Sequence, residues 1–476
     1  MSYPALHLYI DGQWLGAEGR DSQAVVNPST GEVLGAQPCA SAADADAAVA
    51  AAARAFPAWR ETSPYDRARI LRGAASRLRE RQATIGATIA LELGKPIGDA
   101  IAEVGMAADV FDWFAEEGRR AYGRVIAARS RAMQATTERE PVGPCALLTP
   151  WNFPIGLPAR KVAAALAAGC TAVLKPAAET PAAALAIAQA LHDAGLPAGV
   201  LNVVNGDPVG LTRRLLQAPA IRKLSFTGST AVGKDIARQA ADTLKQVTME
   251  LGGHAAVLVL ADADPEQAAT VCAQAKFRNA GQVCTAANRF FVHASIVERF
   301  ARRFAEVAGA LRLGAGTDSA TQMGPLAHAR RLNAVAELVG DAVQRGARVL
   351  TGGQREDRAG FFWQPTVLTD VPADARVMHE EAFGPIAPIV SFTDLPATIA
   401  VANALPYGLA AYVFTESARQ AREVSRALEC GIVGINTFAT TLPEAPFGGV
   451  KDSGYGSENG SEGLEAYLNT KFIAQV

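Results

Sequence analysis

Cysteine pairs, long apolar runs and an excess of either charge are all missing from this sequence. Its six cysteines, Cys39, Cys145, Cys170, Cys272, Cys284 and Cys430, form no C-x-x-C pair and have no histidine at ligand spacing. That excludes the usual zinc patterns and a disulfide framework, so no metal is expected. No run of about 18 apolar residues occurs, and MSYPALHLYIDGQWLG has neither the basic nor the apolar region of a signal peptide. A cytoplasmic protein in a reducing compartment is expected. Lys and Arg number 45 against 47 Asp and Glu, a formal charge of -2. This balance removes the bulk electrostatic case for nucleic acid or an anionic membrane as partner and leaves a small molecule as the default.

With 476 residues, the chain exceeds the size at which one core stops growing, and two large domains are expected. Ala-rich amphipathic helices fill the first third: Ser41 caps SAADADAAVAAAARAF, Ser63-Pro64 opens SPYDRARILRGAASRLRER, and a long helix runs from about Ile97 to Gly118. From about Pro144, short apolar runs (CALLTP, TAVLKP, GVLNVV, IRKLSFTG) alternate with helices, and after Glu250 a second such series begins with AAVLVL. Alternation of this kind predicts an α/β fold with two doubly wound parallel sheets. The polar, basic YGRVIAARSRAMQATTERE and the terminal YLNTKFIAQ show weak period-two alternation. They are expected to pair with each other and with another subunit, since exposed strand edges need partners.

Four local features carry candidate chemistry. In FRNAGQVCTAANR, Cys284 follows a helix end and an irregular turn marked by Asn279, Gly281 and Gln282. It reads as a packed core thiol, a metal or disulfide partner, or a nucleophile; the other apolar-context cysteines read as core. A free thiol with a pKa of about 8.5 is only ~3% ionised at neutral pH, so a nucleophile needs a shifted pKa or a base. Glu250 ends a strand before Gly252 and Gly253, and reads as a cleft carboxylate or as a solvated loop residue. Asn152, between Pro150 and Pro154 in LLTPWNFPIGLPARK, reads as a turn former or as a fixed amide donor. SFTGSTAVGK has strand, turn and helix in the order that seats a phosphate, and Lys175 ends a strand where open sheets bind ligands.

Taken together, TPWNFP, FTGST, MELGG, FRNAGQVC, EEAFGP and PFGGVKDSG resemble the NAD(P)-dependent aldehyde dehydrogenase superfamily over essentially the whole chain. The resemblance implies Cys284 as the nucleophile that forms a thiohemiacetal and then a thioester, Asn152 as oxyanion donor, and Glu250 as the base that activates water. It implies cofactor contacts at Trp151, Lys175, Ala178, Ser229, Leu251, Glu381 and Phe383. It further implies a cofactor domain of residues 1–122 and 143–250, a catalytic domain of 251–440, oligomerisation strands at 123–142 and 457–476, and a homodimer or homotetramer. NAD-preferring members often carry Glu where this chain has Ala178, so NADP is expected to be accepted and to be favoured over NAD.

Arg160, Arg278 and Thr441 match positions with which succinate-semialdehyde dehydrogenases hold the distal carboxylate of the substrate. Oxidation of succinate semialdehyde to succinate is therefore the expected activity; structural ion pairing is the other role open to the two arginines. DVFDWFAEEGRRAYGR and KDSGYGSENGSEGLEAYL also resemble 2-oxoglutarate-semialdehyde dehydrogenases, a close alternative. A coenzyme-A-acylating relative, and a cysteine thioesterase or esterase without hydride transfer, are the remaining alternatives. Ala286 stands where some relatives have a second cysteine, so no disulfide switch is expected.

Overall fold

The computed structural model describes residues 3–476. Several of its helices begin where side chains satisfy the free N–H groups of a first turn. Ser41 accepts from the Asp44 N–H while the Asp44 carboxylate accepts from the Ser41 N–H, a reciprocal cap on Ala42–Glu61. Ser63 and Pro64 start the helix Pro64–Glu80, and the long helix spans Ile97–Glu117.

Five parallel strands form the centre of an eight-stranded sheet, in the order Leu201–Val203, Ala172–Lys175, Cys145–Leu148, Lys223–Thr227 and Gln246–Glu250. Antiparallel strands extend both edges: the hairpin Leu8–Ile10 with Gln13–Leu15 on one side, Gly454–Tyr455 on the other. Helices cover both faces. One face packs Leu71, Phe111, Val162 and Ile187, the other Ala48, Leu215 and Ile236. Burial from both sides is why Cys145–Leu148, Ala172–Lys175 and Lys223–Thr227 are buried at every position, with no polar alternation. The strand order reverses between Cys145–Leu148 and Lys223–Thr227, and crevices at the carboxyl ends of strands flanking such a reversal are where open α/β sheets bind ligands.

The second sheet has seven strands, in the order Arg348–Thr351, Thr366–Thr369, Ile386–Phe392, Ala287–His293, Ala255–Val259, Ala410–Phe414 and Ile432–Ile435. All pairs but the first are parallel. Its core includes Phe277, Phe290, Phe300 and Phe304, with Phe290 and Phe304 edge to face at 5.0 Å. A third, antiparallel sheet joins Arg124–Ile126, Gln134–Pro141 and Leu468–Gln475, in register from Leu468 opposite Pro141 to Gln475 opposite Gln134. The two alternating segments of the sequence thus pair with each other, and Val125 and Phe472 on this sheet are exposed.

Cys430 differs from its sequence reading. It lies half-buried in the bend before Ile432–Ile435, its Sγ 3.2 Å from the Ile432 carbonyl oxygen, whereas Cys145, Cys170 and Cys272 are fully buried. Among the described residues no helix is long and apolar enough to cross a membrane, and no cluster of His, Cys, Asp and Glu is placed to hold a metal ion.

Candidate active site

The four residues Leu251 to His254 connect the carboxyl end of Gln246–Glu250 to the amino end of Ala255–Val259. The first sheet therefore presents its carboxyl edge to the amino edge of the second, and Cys284 lies just before the adjacent parallel strand Ala287–His293. A Cβ at Gly253 would sit 2.7 Å from the Cys284 carbonyl oxygen, so only glycine lets the two loops touch. Asn279, Ala280 and Gly281 have φ of 51°, 53° and 73°; the two non-glycine residues cost roughly 1–2 kcal/mol each in this region. Side-chain amides hold the turn. The Gln282 Oε1 accepts from the Ala327 N–H at 2.9 Å, its Nε2 donates to the Asn279 carbonyl at 3.1 Å, and the Asn279 Nδ2 donates to the Gln282 and Asn152 carbonyls at 3.2 and 3.0 Å.

Asn152 is buried, and its Nδ2 donates to the Gln282 carbonyl at 3.1 Å. Glu250 is 2% exposed and neither carboxylate oxygen has a hydrogen-bond partner. Burial holds its carboxyl well above the usual carboxylate range and Glu458 adds to the rise, against Lys161 and Arg160. Lys161 and Glu458 form a buried ion pair, and the Lys161 Nζ also donates to the Ser225 Oγ at 2.8 Å. Burial likewise pushes the Cys284 thiol up to about 12; Arg160 opposes the rise, while Glu250, Glu381 and Glu458 add to it. In this state the Cys284 thiol is neutral at pH 7, and burial disfavours the ionised form of Glu250.

Cys284 opens into a cavity of about 290 Å³ whose walls include Arg160, Arg278, Thr441, Phe153 and Phe447. The Arg160 guanidinium lies 4.6 Å from the Phe447 ring centroid and that of Arg278 lies 5.6 Å from the Phe153 centroid. Neither arginine forms an ion pair among the described residues, so the aromatic faces hold the guanidinium planes while carboxylate-matching N–H groups stay unused. Tyr412 and Phe438, with centroids 4.1 Å apart, close another part of the wall.

Of the positions singled out for a cofactor, Trp151, Lys175, Ser229 and Leu251 lie at or just after the carboxyl ends of strands in the first sheet, while Glu381 and Phe383 precede Ile386–Phe392 in the second. Trp151 packs edge to face on Phe383 at 5.5 Å and on His328 at 5.4 Å. Lys175 is buried with its Nζ bonded to the Pro176 carbonyl at 3.0 Å, and burial lowers its pKa against Glu179 and Asp207. Ala178 is half-buried, and Glu179 reaches Arg330 at 3.7 Å. Ser229 precedes the helix Thr230–Ala241 without making a side-chain cap, which leaves first-turn N–H groups available to a phosphate. Leu251 packs against Gly233, and its N–H donates to the Ser453 carbonyl at 3.0 Å. Glu381 accepts from the Gly253 N–H at 3.0 Å; burial pushes its carboxyl up to about 7, opposed by that bond, Arg331 and Lys276. Phe383 has a φ of 41°, unusual for a bulky side chain.

Lys95, Glu103, Lys161 and Glu458 escaped the sequence reading. Two of them carried a signal: Glu103 interrupts the buried stripe Ala100, Val104 and Ala107, and Lys161 lies between Ala159 and Val162 in a helix buried almost throughout. A charge at an apolar-face position marks a buried pair or a site.

The aldehyde dehydrogenase family model matches residues 14–473. The chain is 48% identical to the 4-(hydroxymethyl)benzenesulfonate dehydrogenase TsaD1 of Comamonas testosteroni, over 100% of this chain and 99% of the relative. It is 44% identical to the succinate-semialdehyde dehydrogenase [NADP(+)] GabD of Escherichia coli K12, over 98% and 96% of the two chains. The crystal structure of succinate-semialdehyde dehydrogenase from Burkholderia pseudomallei superposes with a TM-score of 0.97 at 41% identity, covering 99% of this chain and 98% of that one. These likenesses establish that the chain belongs to the aldehyde dehydrogenase family, oxidoreductases that act on small aldehydes with NAD or NADP.

Proposed function

We propose that this enzyme oxidises an aldehyde bearing a distal carboxylate, with succinate semialdehyde as the reference substrate, and favours NADP over NAD. The observation that carries the substrate class is the pair of unpaired guanidiniums, Arg160 and Arg278, in the same cavity as Cys284. The Cys284 thiol gives up its proton to solvent as Sγ attacks the carbonyl carbon, and the oxyanion that forms accepts from the second Nδ2 hydrogen of Asn152 and from the Cys284 N–H. A bound nicotinamide cofactor would supply the hydride acceptor for that carbon. Cys284 is left as a thioester, and Glu250 accepts a proton from the water that attacks it, releasing carboxylate and thiol. Trp151, Lys175, Ser229, Leu251, Glu381 and Phe383 would hold the cofactor. The fit rests on the uncapped helix start at Ser229 and on the Lys175 Nζ, which has only a main-chain partner.

Replacing Arg160 and Arg278 singly by alanine is expected to lower kcat/KM for succinate semialdehyde by ~10–100-fold each, since a hydrogen bond to a charged group contributes about 1.5–3 kcal/mol. The rate with butanal, which has no distal anion, should change less than threefold. Equal losses for both aldehydes would sink the carboxylate clamp. For the cofactor, Ala178→Glu is expected to cut kcat/KM for NADP by more than ~10-fold while sparing NAD, because a carboxylate there would face the 2′-phosphate. A wild-type enzyme that strongly prefers NAD would overturn the NADP assignment.

The cavity supports a second substrate. About 150 Å³ of apolar space accepts a benzene ring, and here about 290 Å³ is walled partly by Phe153, Phe438, Phe447 and Tyr412. Together with the ring sulfonate in the name of the Comamonas relative, this favours testing 4-formylbenzenesulfonate beside succinate and 2-oxoglutarate semialdehydes. The substrate with the highest kcat/KM decides between them.

A further inference from the structure

We propose that the buried ion pair Lys95–Glu103 is a positioning device for the amide of Asn152. This rests on the proposed role of Asn152 as oxyanion donor. Lys95 and Glu103 are 2% and 5% exposed and bond to each other. A buried ion pair seldom stabilises a fold more than apolar residues of the same volume, so the pair's other bonds indicate what it does. The Lys95 Nζ donates to the Asn152 carbonyl at 3.1 Å. The Glu103 Oε1 accepts from the N–H groups of Ile155 and Gly156, at 3.1 and 3.0 Å, where the helix Gly156–Ala168 begins. One pair thus grips both ends of the segment Asn152–Gly156.

The opposite side of the same carbonyl accepts from the Asn279 Nδ2 at 3.0 Å, and the Asn152 Nδ2 is tied to the Gln282 carbonyl two residues before Cys284. Asn152 is therefore held between Lys95 and the loop that carries Cys284. The backbone around Lys95 is anchored to a distant loop: the Ile97 N–H donates to the Gly316 carbonyl at 2.8 Å, and a Cβ at Gly316 would lie 2.3 Å from the Lys95 carbonyl oxygen. The Lys95 Nζ also stands 4.0 Å from the Phe153 ring centroid, which fixes the residue after Asn152. If this grip is released, the amide keeps its chemistry and loses its aim, and misplacement of a reacting group by about 1 Å can cost ~100-fold in rate.

The test is a double-mutant cycle between Lys95→Met and Asn152→Ala, with steady-state oxidation of the best aldehyde as readout. In the wild-type background, K95M should lower kcat by ~100-fold with the cofactor Kd within about twofold. In the N152A background, already ~100–1000-fold slower, K95M should add less than about twofold. Full additivity would overturn the proposal, as would an unchanged kcat in K95M, because a general structural defect costs the same whether or not Asn152 is present. Alkylation of Cys284 by iodoacetamide, which needs no oxyanion donor, should proceed at the wild-type rate in K95M. Should K95M yield too little folded enzyme, K95M/E103Q leaves no charge unpaired and carries the same expectation in both backgrounds. If N152A alone were as active as wild type, the oxyanion assignment itself would fall, which is a distinct outcome.

Discussion

Cys284→Ser is expected to lose aldehyde-dependent cofactor reduction by at least ~10⁴-fold, the scale seen when a covalent nucleophile is removed. A serine hydroxyl in the same turn is a far weaker acid than the thiol it replaces, and no histidine lines the cavity onto which Cys284 opens. The remaining cysteines offer no substitute: Cys145, Cys170 and Cys272 are fully buried, and neither Cys39 nor Cys430 lines the cavity that holds Arg160 and Arg278. The measurement is reduced-nicotinamide absorbance after mixing enzyme, cofactor and semialdehyde. Activity within tenfold of wild type would remove Cys284 from the reaction.

The same thiol carries a pH dependence. With its pKa pushed up to about 12 by burial, only ~10⁻⁵ of it is thiolate at pH 7 in the free enzyme. The charged form is the disfavoured one, so alkylation by iodoacetamide should be slow at pH 7 and rise about tenfold per pH unit through pH 10. A pH-independent rate between 7 and 9 would mean an already ionised thiol.

The α/β alternation was legible because each strand at the centre of the first sheet is a short apolar run ended by Pro, Gly or Asn, and several helices start at a local cap, as at Ser41, Ser63, Asp207 and Asp264. The hairpin of Leu8–Ile10 with Gln13–Leu15 and the strands Arg348–Thr351 and Thr366–Thr369 were not, since they join by antiparallel pairing outside the strand–helix alternation and are held by their neighbours rather than by their own pattern. The turn before Cys284 announced itself through Asn279, Gly281 and Gln282, yet what those amides hold lies in other parts of the chain. Asn279 reaches Asn152 and Gln282 reaches Ala327, distances in sequence that no local pattern encodes. Lys161 and Glu458 are further apart still. Cys430 misled because its neighbours are those of a strand, while the strand begins only at Ile432.

Glu250→Gln should separate the two halves of the reaction. Thiohemiacetal formation and hydride loss need only Cys284, Asn152 and the cofactor, so the variant should still release about one equivalent of reduced nicotinamide per active site in a rapid burst. The following steady state should fall ~10²–10⁴-fold, the usual contribution of a general base, with the acyl group recoverable on Cys284 by intact-protein mass spectrometry. In the wild type the sign with pH follows from the environment of Glu250. Burial and Glu458 favour its neutral form, and only the ionised form accepts a proton from water, so deacylation should speed up as pH rises toward that raised pKa. Glutamine has nothing to titrate, and the E250Q steady-state rate should lose this rise. A variant that turns over steadily at the wild-type rate, or one with no burst, would place the base elsewhere. The alternative of an ordinary solvated glutamate is already strained by the structure: a carboxylate 2% exposed, with neither oxygen bonded, costs stability that a purely structural side chain gives no reason to retain.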